Sequence, residues 1–216
     1  MKSISITKSP TLHWIALLLL SAGAIFFIYH YFPKAFAIVD LKIEIDRKEA
    51  IKKAQSIAKE YLLEPANGQH AATFKGDTSV QYYAELEAGG VESFKKLLHD
   101  ANYTPYYWSI RFFQEEFIPE AHIYLKPDGN FYGFTQKLPF DEAGAALSSE
   151  AANQLATEQT TQVWKVSLDN YKLVESGEST NPAGRIDHTF TYEHTTKKLK
   201  DAPYRLRLKI TGDKLT

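Results

Sequence analysis

The chain has 216 residues, 44% of them apolar and 24% charged, with 25 Lys and Arg against 26 Asp and Glu. That profile excludes a wholly disordered protein, a collagen and a multi-span membrane protein; the lack of a basic excess argues against nucleic acid as a partner, since phosphate binding needs clustered Lys and Arg. Cysteine is absent, which removes disulfides, thiol catalysis and thiolate metal sites but leaves the compartment open.

Lys2 and Lys8 are the only charged side chains before Lys34, and 25 uncharged residues lie between Lys8 and Lys34. A spanning helix needs about 20 mostly apolar residues. Trp14 marks one interface of the expected span, and Tyr29, Tyr31 and Phe32 mark the other. Pro33 is expected to stop the helix. The reading is a cytoplasmic tail over 1–10, a transmembrane anchor over 11–33 and an extracytoplasmic body over 34–216, with the N-terminus inside because Lys2 and Lys8 precede the span. Two rivals stay open. Ala35-Phe36-Ala37 has the small-x-small spacing of a signal-peptide cleavage site, and a buried core helix also fits the length.

A first unit is expected over 38–140. Asp46-Arg-Lys-Glu49 reads as a capping box with Ile45 as its staple. Ala50, Ile51, Ala54, Ile57, Ala58, Tyr61 and Leu62 then recur at helical spacing, with Lys52, Lys53, Lys59 and Glu60 opposite. Pro65-Ala-Asn-Gly68 ends that helix. Residues 80–99 read as two short helices broken at Gly89-Gly90. A strand over 106–113 places Trp108, Ile110 and Phe112 on one face. Another over 121–126 alternates through Ile123 and Leu125. Pro127-Asp-Gly129-Asn is a tight turn in which glycine supplies positive φ, the strand returns over 131–137, and Pro139 closes the unit.

A second unit is expected over 146–216. Ser148 caps a helix whose stripe is Ala152, Leu155 and Ala156, with Leu147 as staple and Glu150 in the first turn. Three strands follow, through Tyr171–Glu175, Ile186–His194 and Tyr204–Ile210, and the last is the cleanest half-buried pattern in the chain. The units read as a repeat. An offset of 102 superposes Asp46 on Ser148, Ala50 on Ala152 and Ala54 on Ala156. Lys126-Pro-Asp-Gly129 matches Lys209-Ile-Thr-Gly212. Only Lys214-Leu-Thr216 follows the second hairpin, so the expectation is a unit truncated inside it, leaving the preceding strand with an unpaired edge; a chain that simply ends in a short edge strand is the alternative. The fold class is α+β: a transmembrane helix, then two tandem helix-on-antiparallel-sheet units.

No Gly-x-Ser-x-Gly, phosphate loop or His-Glu-x-x-His occurs. His188 and His194 share a strand face about 20 Å apart at strand rise, too far for one metal ion, and read as buried or rim histidines with hydrogen-bond partners. Glu115-Glu116, followed by Glu120, reads as a solvated loop rather than an acid–base couple. Lys197-Lys-Leu-Lys200 with Arg205, Arg207 and Lys209 is a basic patch that fits a solvated strand face or anionic headgroups. Tyr82, Tyr83, Tyr106, Tyr107 and Trp108 fit a peptide groove or sheet–helix packing. No catalytic, cofactor-binding or metal residue is assigned, and no cofactor is expected.

The repeat, with its Asp46-Arg-Lys-Glu-Ala50 helix start and Gly hairpin, resembles the PepSY domain. Val39-Asp-Leu, Trp108-Ser-Ile-Arg111-Phe-Phe, Leu147-Ser-Ser-Glu, Arg185-Ile-Asp187-His188-Thr-Phe190 and Tyr204-Arg extend the likeness. Over 33–216 the chain resembles the extracytoplasmic region that precedes the membrane domain of long CAAX-protease and bacteriocin-processing (CPBP) intramembrane metalloproteases. Their Glu-Glu-x-x-x-Arg motif is not met, because Glu120 stands where arginine is required. The resemblance implies a scaffold whose catalytic machinery lies beyond Thr216. It implies a membrane-tethered, non-catalytic module that meets the lipid bilayer and binds a peptide or regulates a linked protease domain. A free-standing envelope protein with a structural or ligand-binding role is the alternative.

Overall fold

The uncharged N-terminal run folds as one helix, α1 (Pro10–Ala35), in a computed structural model that describes residues 10–63, 65 and 68–216. Among the described residues α1 alone is long and apolar enough to cross a membrane, and none of its apolar window is buried against the body. The expected tail over 1–10 lies almost wholly outside the described residues. Pro33 does not end the helix as expected. A proline removes only its own N–H, so its neighbours keep theirs: the helix runs on to Ala35, and the Phe36 N–H still donates to the Phe32 carbonyl at 3.1 Å. A short 3₁₀ turn, Ala37–Asp40, follows, and Ala37 is only 1% exposed between Ala84, Phe94 and Leu97.

The capping box forms as read and starts α2 (Arg47–Glu60): the Asp46 carboxylate accepts from the Glu49 N–H at 2.9 Å while the Asp46 N–H donates back to Glu49. Ala50, Ala54 and Ala58 are fully buried. Leu62, expected on the same stripe, is 84% exposed. The helix ends in a Schellman motif without glycine: Leu62 sits at φ 52°, and the Leu63 N–H donates to the Ala58 carbonyl at 2.8 Å, turning Leu63 inward instead. Ala66 and Asn67 of the expected helix stop lie outside the described residues.

The first sheet contains β1 (Gln69–Gly76), β2 (Tyr106–Gln114), β3 (Phe117–Leu125) and β4 (Phe131–Lys137), antiparallel and in sequential order. The sequence reading had no strand at β1. The two short helices expected between 80 and 99 are α3 (Thr78–Leu86), capped by Asp77, and α4 (Val91–Leu98). They are inserted between β1 and β2. Trp108, Ile110, Phe112, Ile123 and Leu125 line the sheet face under α2, where small alanines let helix and sheet approach closely. At the β3–β4 turn the Gly129 N–H donates to the Lys126 carbonyl at 2.8 Å, with φ 83° at Gly129.

The second half repeats this order. Ser148 caps α5 (Ser149–Gln159), accepting from the Ala151 N–H, and a π-helical turn, Thr160–Trp164, prolongs it. Then come β5 (Tyr171–Thr180), β6 (Ile186–Leu199), β7 (Ala202–Thr211) and the two-residue β8 (Lys214–Leu215), again antiparallel and sequential. Four strands, not three, therefore follow α5. The match of helix plus four strands is offset by 102 residues at the caps and by 83 at the Gly hairpins. The difference arises mainly because α3 and α4 lengthen the first half. The expected alternation in β5 is lost: a bulge lies between Leu173 and Glu175, and both Leu173 and Val174 are exposed on this edge strand.

One continuous apolar core joins the halves, running from Ile45 and Ala54 through Ile123 to Ala152, Phe190, Leu208 and Leu215. Between them the chain from 138 to 147 has no regular structure. Arg185 and Asn181 stitch it to the β5–β6 turn. The Arg185 guanidinium donates to the Pro139 and Glu142 carbonyls at 3.1 and 3.0 Å, and the Asn181 amide donates to those of Phe140 and Glu142, both at 2.8 Å.

Candidate functional site: a tyrosine-lined cavity between two strand edges

Strand β4 ends the first sheet, and nothing pairs with its outer edge among the described residues. Strand β7 pairs with β8 at Ile210 and Thr211, and nothing pairs with the same edge over 202–208 among the described residues. Between these two edges lies a cavity of about 560 Å³, lined on one side by 131–134 and on the other by 202–207. Its size falls in the range of ordinary ligand pockets.

The insertion α3–α4 closes one end, contributing Val80, Tyr83 and Leu97, and the loop after it supplies Asn102 and Tyr103. Tyrosines dominate the wall. The Tyr103 hydroxyl donates to Asp77 at 3.0 Å, and the Tyr204 hydroxyl donates to Asp100 at 3.4 Å. Burial first, then the Asp77 charge, holds the Tyr103 phenol far above its ordinary range. Burial and then the Asp100 charge push Tyr204 up to about 12. Burial also raises Tyr132 and Tyr171. These phenols therefore stay protonated at any physiological pH and act as neutral hydrogen-bonding groups. The charged side chains in the lining are all cationic: Lys126, Arg205 and Arg207. Arg205 is held by Glu193 at 3.3 Å. Lys126 donates to the Ala101 carbonyl, a neutral acceptor, at 2.7 Å. Arg207 makes no ion pair among the described residues.

The structure divides the residues singled out in the sequence. Of the aromatic set, Tyr83 lines the cavity, while Tyr107 packs edge-on against Tyr124. The buried Trp108 and the half-buried Tyr106 both pack against Phe74, and Tyr82 is exposed. The Trp108 indole N–H is buried without a partner among the described residues. His188 and His194 are buried, each with a partner. His188 Nε2 donates to the Leu147 carbonyl at 2.9 Å, fastening the start of α5 to β6. His194 Nδ1 accepts from the Lys197 N–H at 3.0 Å, which places its proton on Nε2. Glu115 and Glu116 form the β2–β3 turn, with Glu116 at φ 61°. The basic run is the tip of the β6–β7 hairpin, where Lys197 meets the Asn102 side chain and Lys200 reaches Glu87 at 3.9 Å.

Glu120 is not in a loop with Glu115-Glu116 but inside β3. Its carboxylate bonds to Arg111 and, at 2.7 Å, to His122. The Arg111 hydrogen bond, then that of His122, outweighs desolvation and lowers Glu120 to about 2. Drawing the hairpin turn at 115–116 in the sequence would have paired Gln114 with Phe117 and so Arg111 with Glu120; a bulge between Phe112 and Gln114 then sets Arg111 opposite His122. Among the described residues no group of three or more His, Asp or Glu is placed to hold a metal ion. Comparison with protein families, with curated proteins and with solved structures finds no match.

Proposed function

We propose that this chain is a membrane-anchored, extracytoplasmic binding module that captures an extended peptide segment between its two sheets and carries out no chemistry itself. The observation behind this reading is the cavity between the two sheets, one long wall of which is the outer edge of β4. Open edges present rows of backbone N–H and C=O groups, and adding a strand satisfies them. The duplicated helix-plus-four-strand arrangement agrees with the PepSY resemblance. On that resemblance the segment would be the ectodomain of a CPBP-type protease, and its occupant a substrate segment or a stretch of the linked protease. Burial of Ala37 favours a retained anchor over a cleaved leader: removal after Ala37 would empty a filled position between Phe94 and Leu97.

The test uses the full chain in uncharged micelles, incubated with a mixture of unstructured decapeptides and followed by amide hydrogen exchange. Slowed exchange along β4 or β7 supports the reading. Exchange unchanged at both edges, with no peptide retained, removes it. A reporter fused at Thr216 tests the orientation, and reporter activity in the cytoplasm would contradict an exported body.

A further inference from the structure

Resting on the membrane-anchored part of that reading, we infer that the 3₁₀ turn after α1 seats the body directly on the bilayer, with Phe36, Ile38 and Val39 against phospholipid at headgroup level. These three side chains are 52%, 50% and 45% exposed, an apolar group next to an apolar span. The two surfaces are continuous. The Phe36 ring packs on the Phe32 ring of α1 at 4.7 Å between centroids. Length sets the depth. The apolar window Thr11–Ala35 has 25 residues, which at about 1.5 Å each cover roughly 37 Å against a hydrocarbon core of about 30 Å. A centred span therefore leaves Ala35 at headgroup level, and the four residues of the turn, at about 2 Å each, add at most about 8 Å. The backbone suits a partly dry setting: the Val39 N–H donates to the Phe36 carbonyl at 3.3 Å and the Leu41 N–H to the Ile38 carbonyl at 3.1 Å.

The turn is fixed to the body rather than tethered to it. Ala37 is buried in the core formed with Ala84, Phe94 and Leu97, while its neighbours Phe36 and Ile38 stay outside. Lys95 of α4 holds Asp40 at 3.3 Å, and the Glu44 N–H donates to the Pro127 carbonyl at 3.0 Å. Charge does not make the seat. Lys34 and Lys42 stand against Asp40 and Glu44 in the same stretch, and Lys95 also lies 3.6 Å from Glu92. What recognises the lipid is the boundary between headgroup and acyl chain, which apolar side chains enter whatever the headgroup charge.

The chain has no cysteine, so single-cysteine variants take a label at one place. Ala22→Cys, near the middle of α1, and Ile38→Cys each carry an environment-sensitive fluorophore in the full chain, one copy per phosphatidylcholine nanodisc, with a nitroxide either on the lipid headgroup or at the acyl-chain end. Ile38 is exposed, so its variant is expected to fold, and circular dichroism verifies that. The label at position 22 should be quenched by the chain-end nitroxide. The label at position 38 should be quenched by the headgroup nitroxide at least about threefold more than by the chain-end one, as for apolar groups lying about 5–10 Å into the interface. Adding Phe36→Asp should cut that quenching to about half or less, and mixing in phosphatidylglycerol should change it less than about twofold. A larger response to phosphatidylglycerol overturns the apolar seat. A label at position 38 that lipid quenches at neither depth, with position 22 still quenched, shows the turn covered by protein or by water; it overturns the inference and leaves the anchor standing. No quenching at either position removes the anchored reading as well.

Discussion

Replacing Arg185 with alanine tests how the two halves are joined. The Arg185 side chain is 5% exposed and that of Asp187 16%. Nε donates to Asp187 Oδ1 at 2.9 Å and a terminal nitrogen donates to Oδ2 at 3.3 Å, the two-pronged geometry that suits guanidinium and carboxylate. The other terminal nitrogen holds the carbonyls of Pro139 and Glu142. Arg185→Ala leaves a mostly buried carboxylate unpaired and takes a donor from two carbonyls. Removing one partner of a buried ion pair costs about 3–5 kcal/mol. Asp187 keeps some access to water, which places the expected loss near the lower end, about 3 kcal/mol. Asn181 still bonds two linker carbonyls, so the linker is loosened rather than freed. Arg185→Lys keeps the charge but not the fork and should lose about half as much. Adding Asp187→Ala to Arg185→Ala removes the stranded charge, so the double variant should be at least about 1 kcal/mol more stable than the sum of the two single losses. Guanidinium unfolding of the full chain in micelles, followed by near-ultraviolet circular dichroism, gives each value. An Arg185→Ala variant within 1 kcal/mol of the parent, or strict additivity with Asp187→Ala, would refute the argument.

Asp46→Ala removes the acceptor of the capping box and should lower stability by about 1 kcal/mol, read as a reduced unfolding midpoint with an unchanged slope. Leu62→Gly relieves a left-handed residue and removes an exposed leucine. The relief of about 1–2 kcal/mol exceeds the entropic cost of glycine, about 0.5–1 kcal/mol, so the unfolding temperature should rise modestly. Glu120 titrates near 2 in the folded chain against an ordinary 4.5, so its interactions stabilise fully above 4.5 and are lost as the pH falls through about 2. Arg111→Met should move that titration back toward 4.5, as followed by carboxyl carbon NMR; an unshifted midpoint would show that Arg111 does not set it.

What could be read from the sequence is what residues specify within their own element. Asp46 and Glu49 lie three apart and cap their own helix; Trp108, Ile110 and Phe112 alternate because one face of β2 meets α2. β1 escaped because it is an edge strand with one buried residue, Ala72, and so carries no alternation to detect. The end of α2 escaped because glycine normally marks a Schellman turn, and here backbone hydrogen bonds impose it on Leu62. The cavity was beyond reach for a different reason. Tyr83, Tyr132 and Tyr204 come from three elements of two sheets and an insertion, and their approach depends on how the halves pack, which no local pattern encodes.

The same packing ties the end of α1 to the cavity. Ala37, two residues beyond α1, sits in a small second core with Ala84, Phe94 and Leu97, while Lys95 fixes Asp40 at the end of the same 3₁₀ turn at 3.3 Å. Leu97 of this core, and Val80, Tyr103, Leu199 and Tyr204 packed against it, also line the cavity. Leu199 and Tyr204 belong to the second sheet, so the insertion of α3 and α4 into the first half is what lets the two sheets share a wall at the base of α1. The side chains that hold Ala37 just after α1 therefore also form part of the cavity wall.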